Sequence, residues 1–192
     1  MIICLRTSRT GSTNFTIFNR GYNIQQTDNT MPLESPFNKK ILIKDKENIF
    51  FTNVRNPYTR SISMWKHQRD GYWGRQKDKA HEIDTFKKFL DIDLEKVKQW
   101  RYRTWSHMCP ISDYLGDYLK KLKYIFKLET LDKDIENFCK QENLKYKFND
   151  RFVFKQSISN KDKDKYLTES NMKIIYDKYK DDFKNFDYEK SF

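Results

Sequence analysis

The first fifteen residues constrain the fold more than any other stretch of the chain. Four apolar residues, Ile2 to Leu5, predict a buried strand, and hydroxyl side chains, two arginines and one glycine follow them over residues 6–13. A helix is expected from Ser12. Because the first amides of a helix lack backbone partners and its dipole favours negative charge, this strand–loop–helix unit predicts an anion-binding loop.

The residue types in this loop suit a phosphate group. Gly11 lets a phosphate approach the backbone, Ser12 and Thr13 add hydroxyl donors, and Arg9 adds a fixed charge. The basic residue precedes the glycine, which excludes a Walker A motif, and the absence of a second glycine two residues away excludes the dinucleotide fingerprint. An ordinary strand–turn–helix with a Ser/Thr cap is the alternative interpretation.

A second strand-to-helix junction follows at residues 49–57. The run 49–54 predicts a strand, and the Asn-Pro pair at 56–57 predicts the start of a helix. Ser63 lies eight residues after Arg55, and His67 lies one helical turn beyond Ser63. An arginine at a strand's carboxyl end and a hydroxyl on the next helix can hold a phosphate. A capping arginine and a tolerated serine within the helix are the alternative.

Composition narrows the class of protein. The chain has 192 residues, 37% of them hydrophobic and 16% aromatic, which excludes a disordered chain. No apolar run approaches the ~18 residues of a membrane span, and no signal peptide is recognisable, so we expect a cytoplasmic protein. Three scattered cysteines and three histidines contain no CxxC or HxxxH pair, so a metal site is not expected.

The net charge of +11 suits a polyanionic partner such as nucleic acid, an anionic glycan or a nucleotide. The lysines are spread along the whole chain rather than gathered in one block. A coding sequence rich in A and T explains the abundance of Lys, Asn, Ile and Tyr equally well. Charge alone therefore names no partner.

Four ordered blocks of the chain resemble sulfotransferases that use 3′-phosphoadenosine 5′-phosphosulfate (PAPS), most closely those of the carbohydrate (chondroitin and heparan) type. The first block resembles the 5′-phosphosulfate loop and the second the 3′-phosphate motif. The third is a His-x-x-Pro segment followed by Glu-x-Leu-x-x-Asp, and the fourth is the closing aromatic block. The blocks span residues 9–13, 54–65, 107–134 and 182–188. Arg9 stands where lysine is commoner, and Asp187 stands where the family has glycine.

The resemblance agrees with the fold that the pattern predicts. We expect an α/β fold over residues 1–192, a single domain with a short central parallel sheet flanked by helices and a P-loop-like phosphate-binding unit. Central strands are expected near 2–6, 49–54 and 124–128. The pattern also predicts a short strand at 22–26, another at 41–43, one helix over 93–103 and a helical stripe through Met172, Ile175, Tyr176 and Tyr179.

The resemblance also implies an activity and its residues. A sulfuryl group would pass from PAPS to an acceptor hydroxyl, on a carbohydrate or a small molecule, leaving adenosine 3′,5′-bisphosphate and requiring no metal. The implied cofactor-binding residues are Arg9, Thr10, Gly11, Ser12, Thr13, Asn14, Arg55 and Ser63. Arg9 would also act in catalysis, by neutralising charge on the bridge between phosphate and sulfate as it breaks.

The general base has two candidates. Glu34 lies in Leu-Glu-Ser-Pro-Phe, which resembles a Glu-bearing segment of some sulfotransferases, and its apolar neighbours are expected to hold and partly desolvate it. His67 is the rival because it shares the helical face of Ser63. A surface carboxylate is the plain alternative for Glu34.

Two other classes of protein stay open. A P-loop-type kinase for a small molecule would need magnesium and a nucleoside triphosphate, and the missing Gly-Lys-Ser/Thr disfavours it. A non-catalytic basic module that binds nucleic acid would need clustered lysines and exposed aromatics, which the scattered charge disfavours. No specific nucleic acid is therefore expected as a partner.

Overall fold

A computed structural model describes residues 1–10, 22, 24–42, 47–72, 84–145 and 158–191. Within these ranges four parallel strands form one sheet in the order β2-β1-β3-β4. The strands are β1 (Ile2–Leu5), β2 (Gln25–Gln26), β3 (Ile49–Val54) and β4 (Leu122–Lys127). Helices flank the sheet, so the predicted α/β class with a short central parallel sheet is confirmed.

The strand register places two chain segments at one edge of the sheet. Ile3 lies opposite Phe50 and Leu5 opposite Thr52, so β1 and β3 run side by side in the same direction. Their carboxyl ends therefore lie together. The loop after β1 and Arg55, which follows β3, both leave the sheet at this edge, as the sequence predicts.

The chain contacts divide into two compact units, each built from two segments. The first unit comprises Met1–Arg55 and Ile111–Lys155, and the second comprises Asn56–Pro110 and Gln156–Phe192. The first unit holds the sheet, with helices α1 (Pro36–Leu42), α6 (Ile111–Leu115) and α7 (Leu131–Gln141) and the 3-10 turns Gly116–Lys121 and Leu128–Thr130. The second unit is helical, with α2 (Pro57–His67), the π-helical turn Gln68–Tyr72, α3 (Phe86–Leu90), α4 (Leu94–Trp100), α5 (Tyr102–Met108), α8 (Asn160–Tyr166) and α9 (Glu169–Asn185).

The core of the first unit lies between the sheet and α7. Phe51 and Phe126 project from adjacent strands with ring centroids 4.9 Å apart, and Phe138 from α7 packs against Phe126 at 5.4 Å. Leu131, Ile135 and Phe138 recur at helical spacing and are buried, which places one face of α7 on the sheet. Burial of each such side chain stabilises the fold by about 1.5–3 kcal/mol.

The core of the second unit forms around α2 and α9. Ile62 and Trp65 on α2 are buried, as are Ile175 and Tyr179 on α9. Phe183 extends the α9 stripe and meets the ring of Tyr58 at 4.9 Å. The helical stripe predicted near the end of the chain is therefore confirmed as core packing.

Two local predictions are wrong. The segment 41–43 was expected to be a strand, but Ile41 and Leu42 belong to helix α1, which Pro36 begins at a position where proline is favoured. Residue 43 lies outside the described residues. The expected helix over 93–103 is interrupted at Arg101, whose φ of −159° and ψ of 96° are extended. The interruption separates α4 from α5.

Candidate functional site

A buried polar network fastens the loop after β1 to the end of β3. The hydroxyl of Thr7 donates to the carbonyl oxygen of Asn53 at 2.5 Å. The Asn53 side-chain amide donates to the carbonyl oxygen of Thr10 at 2.8 Å and to its hydroxyl oxygen at 2.5 Å. All three residues are buried. The start of the loop is therefore held against the strand that leads into Arg55.

The loop holds Arg9 in an unusual backbone conformation. Its φ of 62° lies in the left-handed region, which costs a non-glycine residue about 1–2 kcal/mol. Thr10 stabilises the turn because its hydroxyl donates to the carbonyl oxygen of Thr7 at 3.2 Å. The sequence predicts Thr10 as a phosphate ligand, but the structure shows its hydroxyl engaged inside the loop. Gly11, Ser12, Thr13 and Asn14 lie outside the described residues.

The segment after β2 reaches the same edge. The amide of Thr27 donates to the carbonyl oxygen of Cys4 at 3.0 Å, and the hydroxyl oxygen of Thr27 accepts from the amide of Arg6 at 3.0 Å. The side-chain amide of Asn29 donates to the hydroxyl oxygen of Ser8 at 2.7 Å. Thr27 and Asn29 thus bind the third chain segment to the loop after β1.

Asn38 on α1 anchors the segment that leads to Glu34. Its fully buried side chain accepts from the amide of Asp28 at 2.8 Å and donates to the carbonyl oxygen of Pro32 at 2.8 Å. The hydroxyl of Tyr114 reaches the carbonyl oxygens of Asp28 and Met31, each at 3.4 Å. The sequence analysis missed Asn38 and Asn53, and no motif in the sequence singles them out.

Glu34 itself is exposed, so the expected desolvation by its apolar neighbours is wrong. Leu33 takes the buried position in this turn, whereas Phe37 points outward and is 54% exposed. Burial raises the pKa of the Tyr118 phenol, and the nearby charge of Glu34 raises it further. Tyr118 packs edge-on against Phe50, near the start of β3, with ring centroids 5.8 Å apart. This neighbour of Glu34 lies towards the opposite end of β3 from Arg55.

Arg55 is the second predicted phosphate ligand that the structure describes in the first unit. It follows β3 directly, and only 5% of it is exposed. Buried guanidinium groups are stable in proteins only with polar or charged partners. Arg55 leaves the sheet at the edge where the loop with Arg9 also begins, and Asn53, two residues before Arg55, is hydrogen-bonded to that loop.

Helix α2 of the second unit carries Ser63 and His67. The side-chain oxygen of Asn56 caps it by accepting from the amide of Tyr58 at 3.0 Å, and Pro57 takes the first helical position, as predicted. Ser63 is buried on the second turn, whereas His67 is the exposed last residue of the helix.

His67 stacks on a second histidine. The rings of His67 and His107 lie 5.8 Å apart with an angle of 22° between their planes. Nδ1 of His107 lies 2.6 Å from the carbonyl oxygen of Arg103, which can only accept, so Nδ1 carries the proton. The sequence analysis placed His107 in a resembling block but assigned it no role.

A pocket of about 60 Å³ adjoins the two histidines in the second unit. Its lining consists of His67, Gln68, Arg101, Arg103, Thr104 and His107. Among the described residues no group of three His, Cys, Asp or Glu side chains is arranged to hold a metal ion. None of the described helices has the length and apolar character that crossing a membrane requires.

Comparison with known protein families gives one match. The model of the sulfotransferase family matches residues 5–189, which includes the loop after β1, Arg55 with α2, and the closing aromatic block. No curated protein and no solved structure shows a significant match to the chain.

Proposed function

We propose, from the premise that this chain belongs to the sulfotransferase family, that it transfers a sulfuryl group from PAPS to a hydroxyl group of a carbohydrate acceptor. Sulfuryl transfer follows from the family, whereas the donor and the acceptor class are our inference. The observation that carries it is the shared edge of the sheet. Arg9 and Arg55 follow the carboxyl ends of neighbouring parallel strands, and Asn53, two residues before Arg55, is hydrogen-bonded to Thr7 and Thr10 in the loop that carries Arg9.

The described residues fit a donor with two separate phosphate groups. Arg9, held in a left-handed turn, lies in the loop proposed to bind the 5′-phosphate together with residues 10–14. Arg55, with Ser63 on the following helix, is proposed to bind the 3′-phosphate. Guanidinium groups bind phosphate oxygens in pairs, which gives affinity and orientation.

In this mechanism the chain supplies position and charge. PAPS supplies an activated sulfuryl group whose departure leaves negative charge on a phosphate. Arg9 neutralises that charge, an effect that strengthens as the charge develops. A base removes the proton of the acceptor hydroxyl, and no residue of the proposal requires a metal ion for this step.

Glu34 is the proposed base, and His67 is its alternative. The exposed carboxylate of Glu34 is accessible to a large acceptor, and Asn38 and Tyr114 hold the turn that precedes it. Glu34→Gln should lower kcat by about 10²-fold or more with unchanged affinity for adenosine 3′,5′-bisphosphate. A Glu34→Gln variant near wild type, beside an inactive His67→Ala variant, would transfer the role to His67.

Two further proposals concern the domain organisation and the location of the protein. Because the family match spans segments of both compact units, we propose that residues 1–192 form one sulfotransferase domain. We also propose a cytoplasmic location, which the buried thiols of Cys4, Cys109 and Cys139 support because such thiols persist in a reducing compartment.

Isothermal titration calorimetry of the full chain tests the donor. Adenosine 3′,5′-bisphosphate should bind stoichiometrically without metal, whereas Mg-ATP and a generic oligonucleotide should bind far more weakly at the same salt concentration. Tighter binding of Mg-ATP would favour the kinase. Tight, steeply salt-dependent binding of the oligonucleotide alone would favour the nucleic-acid module.

A further inference from the structure

We infer that the pocket beside His67 and His107 is a binding site for one oxyanion group, a carboxylate or a sulfate ester, carried by the acceptor. This inference rests on the proposed function for the identity of the carrier. The pocket itself lies wholly within the second unit, and its chemistry does not depend on the sheet.

The charge of the lining favours an anion. Two arginines, Arg101 and Arg103, are among the described residues that line the pocket, and no Asp or Glu is among them. The acidic residue nearest in sequence to this lining is Asp70, and its two oxygens bind Arg69 at 2.6 and 3.0 Å. None of the ion pairs among the described residues includes Arg103, and its side chain is exposed.

The neutral members of the lining add hydrogen-bond capacity. Gln68 and Thr104, whose side chains carry an amide and a hydroxyl group, also line the pocket and are 3% and 4% exposed. His107 holds its Nδ1 proton against a backbone carbonyl, so its other ring nitrogen is the one that changes state on protonation. Carboxylate and sulfate oxygens accept several hydrogen bonds at once and match such a set of donors.

The pocket has room for an oxyanion group. Its volume of about 60 Å³ is several times the roughly 10–15 Å³ that one water needs. It therefore accommodates one carboxylate or sulfate group carried by a larger molecule. An acidic carbohydrate is the acceptor chemistry that supplies such a group, and the net charge of +11 favours its approach.

Nuclear magnetic resonance of the full chain tests the site without any turnover. The chain has only three histidines, so the ring protons of His67 and His107 can be assigned with single His→Gln variants. Sodium sulfate, an unsulfated uronate-containing polysaccharide and its carboxyl-reduced form are titrated at constant pH and ionic strength. Arg103→Gln is the test variant, because its side chain is exposed, and Lys173→Gln removes one exposed charge elsewhere in the second unit as the control.

If the pocket binds an oxyanion, the ring-proton resonances of His67 and His107 should shift saturably with sulfate and with the uronate polysaccharide. The carboxyl-reduced form should not shift them. Arg103→Gln should weaken both interactions about 10-fold, which is a loss of about 1.4 kcal/mol, and Lys173→Gln should change them less than 2-fold. Unsaturable shifts, or equal affinity in both variants, would overturn the site. Sulfate binding without polysaccharide binding would overturn its assignment to the acceptor.

Failure of this inference and failure of the proposed function give different results. If the chain does not use PAPS, adenosine 3′,5′-bisphosphate fails to bind while the histidine shifts with sulfate persist. If the pocket is not an anion site, the nucleotide binds normally and the histidine resonances do not respond.

Discussion

At the scale of single residues, Asn53 fastens the loop of the candidate donor site to the sheet. Its side chain reaches this loop from β3, and both of its donor bonds end on Thr10. Asn53 is fully buried, so it acts by positioning the loop rather than by touching a ligand. Loss of such a bond leaves buried acceptors without a partner, which costs about 1–3 kcal/mol.

A matched pair of asparagines tests that role. Asn48 precedes β3 and donates to the carbonyl oxygen of Leu42 at 3.2 Å, whereas Asn53 donates at the carboxyl end of the same strand. Asn53→Ala and Asn48→Ala should both lower the free energy of unfolding in urea. Only Asn53→Ala should weaken the binding of adenosine 3′,5′-bisphosphate, by about 10-fold or more. Equal nucleotide affinity in the two variants would show that Asn53 is merely structural.

Arg9 combines a strained backbone conformation with the charge assigned to catalysis. Two substitutions separate the effect of the strain on stability from the effect of the charge on activity. With φ at 62°, Arg9→Gly relieves the left-handed conformation and should be about 1 kcal/mol more stable than Arg9→Ala in urea unfolding. Both variants lose the guanidinium group and should lose nearly all sulfuryl transfer. Substantial turnover by either variant would remove Arg9 from the mechanism.

At the scale of helices and strands, the sequence predicts β1, β3, β4 and α2 well, because long apolar runs and the Asn-Pro start are local signals. It misses α1, because Ile41 and Leu42 form a short apolar run that fits a strand or the end of a helix equally. It also misses the network of Asn38 and Asn53. Their partners lie up to 46 residues away, and no local pattern encodes such contacts.

The start of α8 carries a pH-sensitive contact. Asp162 lies 2.7 Å from the ammonium group of Lys66 on α2 and accepts from the Ser159 hydroxyl at 2.7 Å. The Lys66 interaction, helped by Ser159, lowers the pKa of Asp162 to about 2. Because this pKa lies below the unfolded value of 3.8, the ionised Asp162 carboxylate stabilises the fold above about pH 4. This contribution disappears as the pH falls to about 2.

Asp162→Asn should therefore be less stable than wild type by about 1 kcal/mol at pH 7, since partial exposure weakens the pair. The difference should shrink between pH 4 and pH 2 in urea unfolding. Asp164→Asn, at an exposed position two residues later, is the control and should show little change at any pH. A constant difference across this pH range would contradict the assigned role of Asp162.

At the scale of the whole molecule, each compact unit is assembled from chain segments that are far apart in sequence. The second unit joins α2 and the end of α5 to α9 through Arg60, which is 1% exposed. The guanidinium group donates to the carbonyl oxygen of Cys109 at 2.9 Å and lies 3.7 Å from the Asp182 carboxylate. Tyr179 adds a hydrogen bond from its hydroxyl to the carbonyl oxygen of Met108 at 2.8 Å, and burial raises the pKa of that hydroxyl.

The buried ion pair between Arg60 and Asp182 should make the two segments of the second unit unfold together. Removing one partner leaves a buried charge without its counterion, so Arg60→Met and Asp182→Leu should each cost about 3–5 kcal/mol. The double variant leaves neither charge and should cost at least about 1 kcal/mol less than the sum of the single losses in urea unfolding. The same cycle on Lys87 and Asp91, an exposed pair at 2.8 Å, should show additive effects. Additivity at Arg60 and Asp182 as well would mean that the ion pair does not couple α2 to α9, and that apolar packing alone holds the unit together.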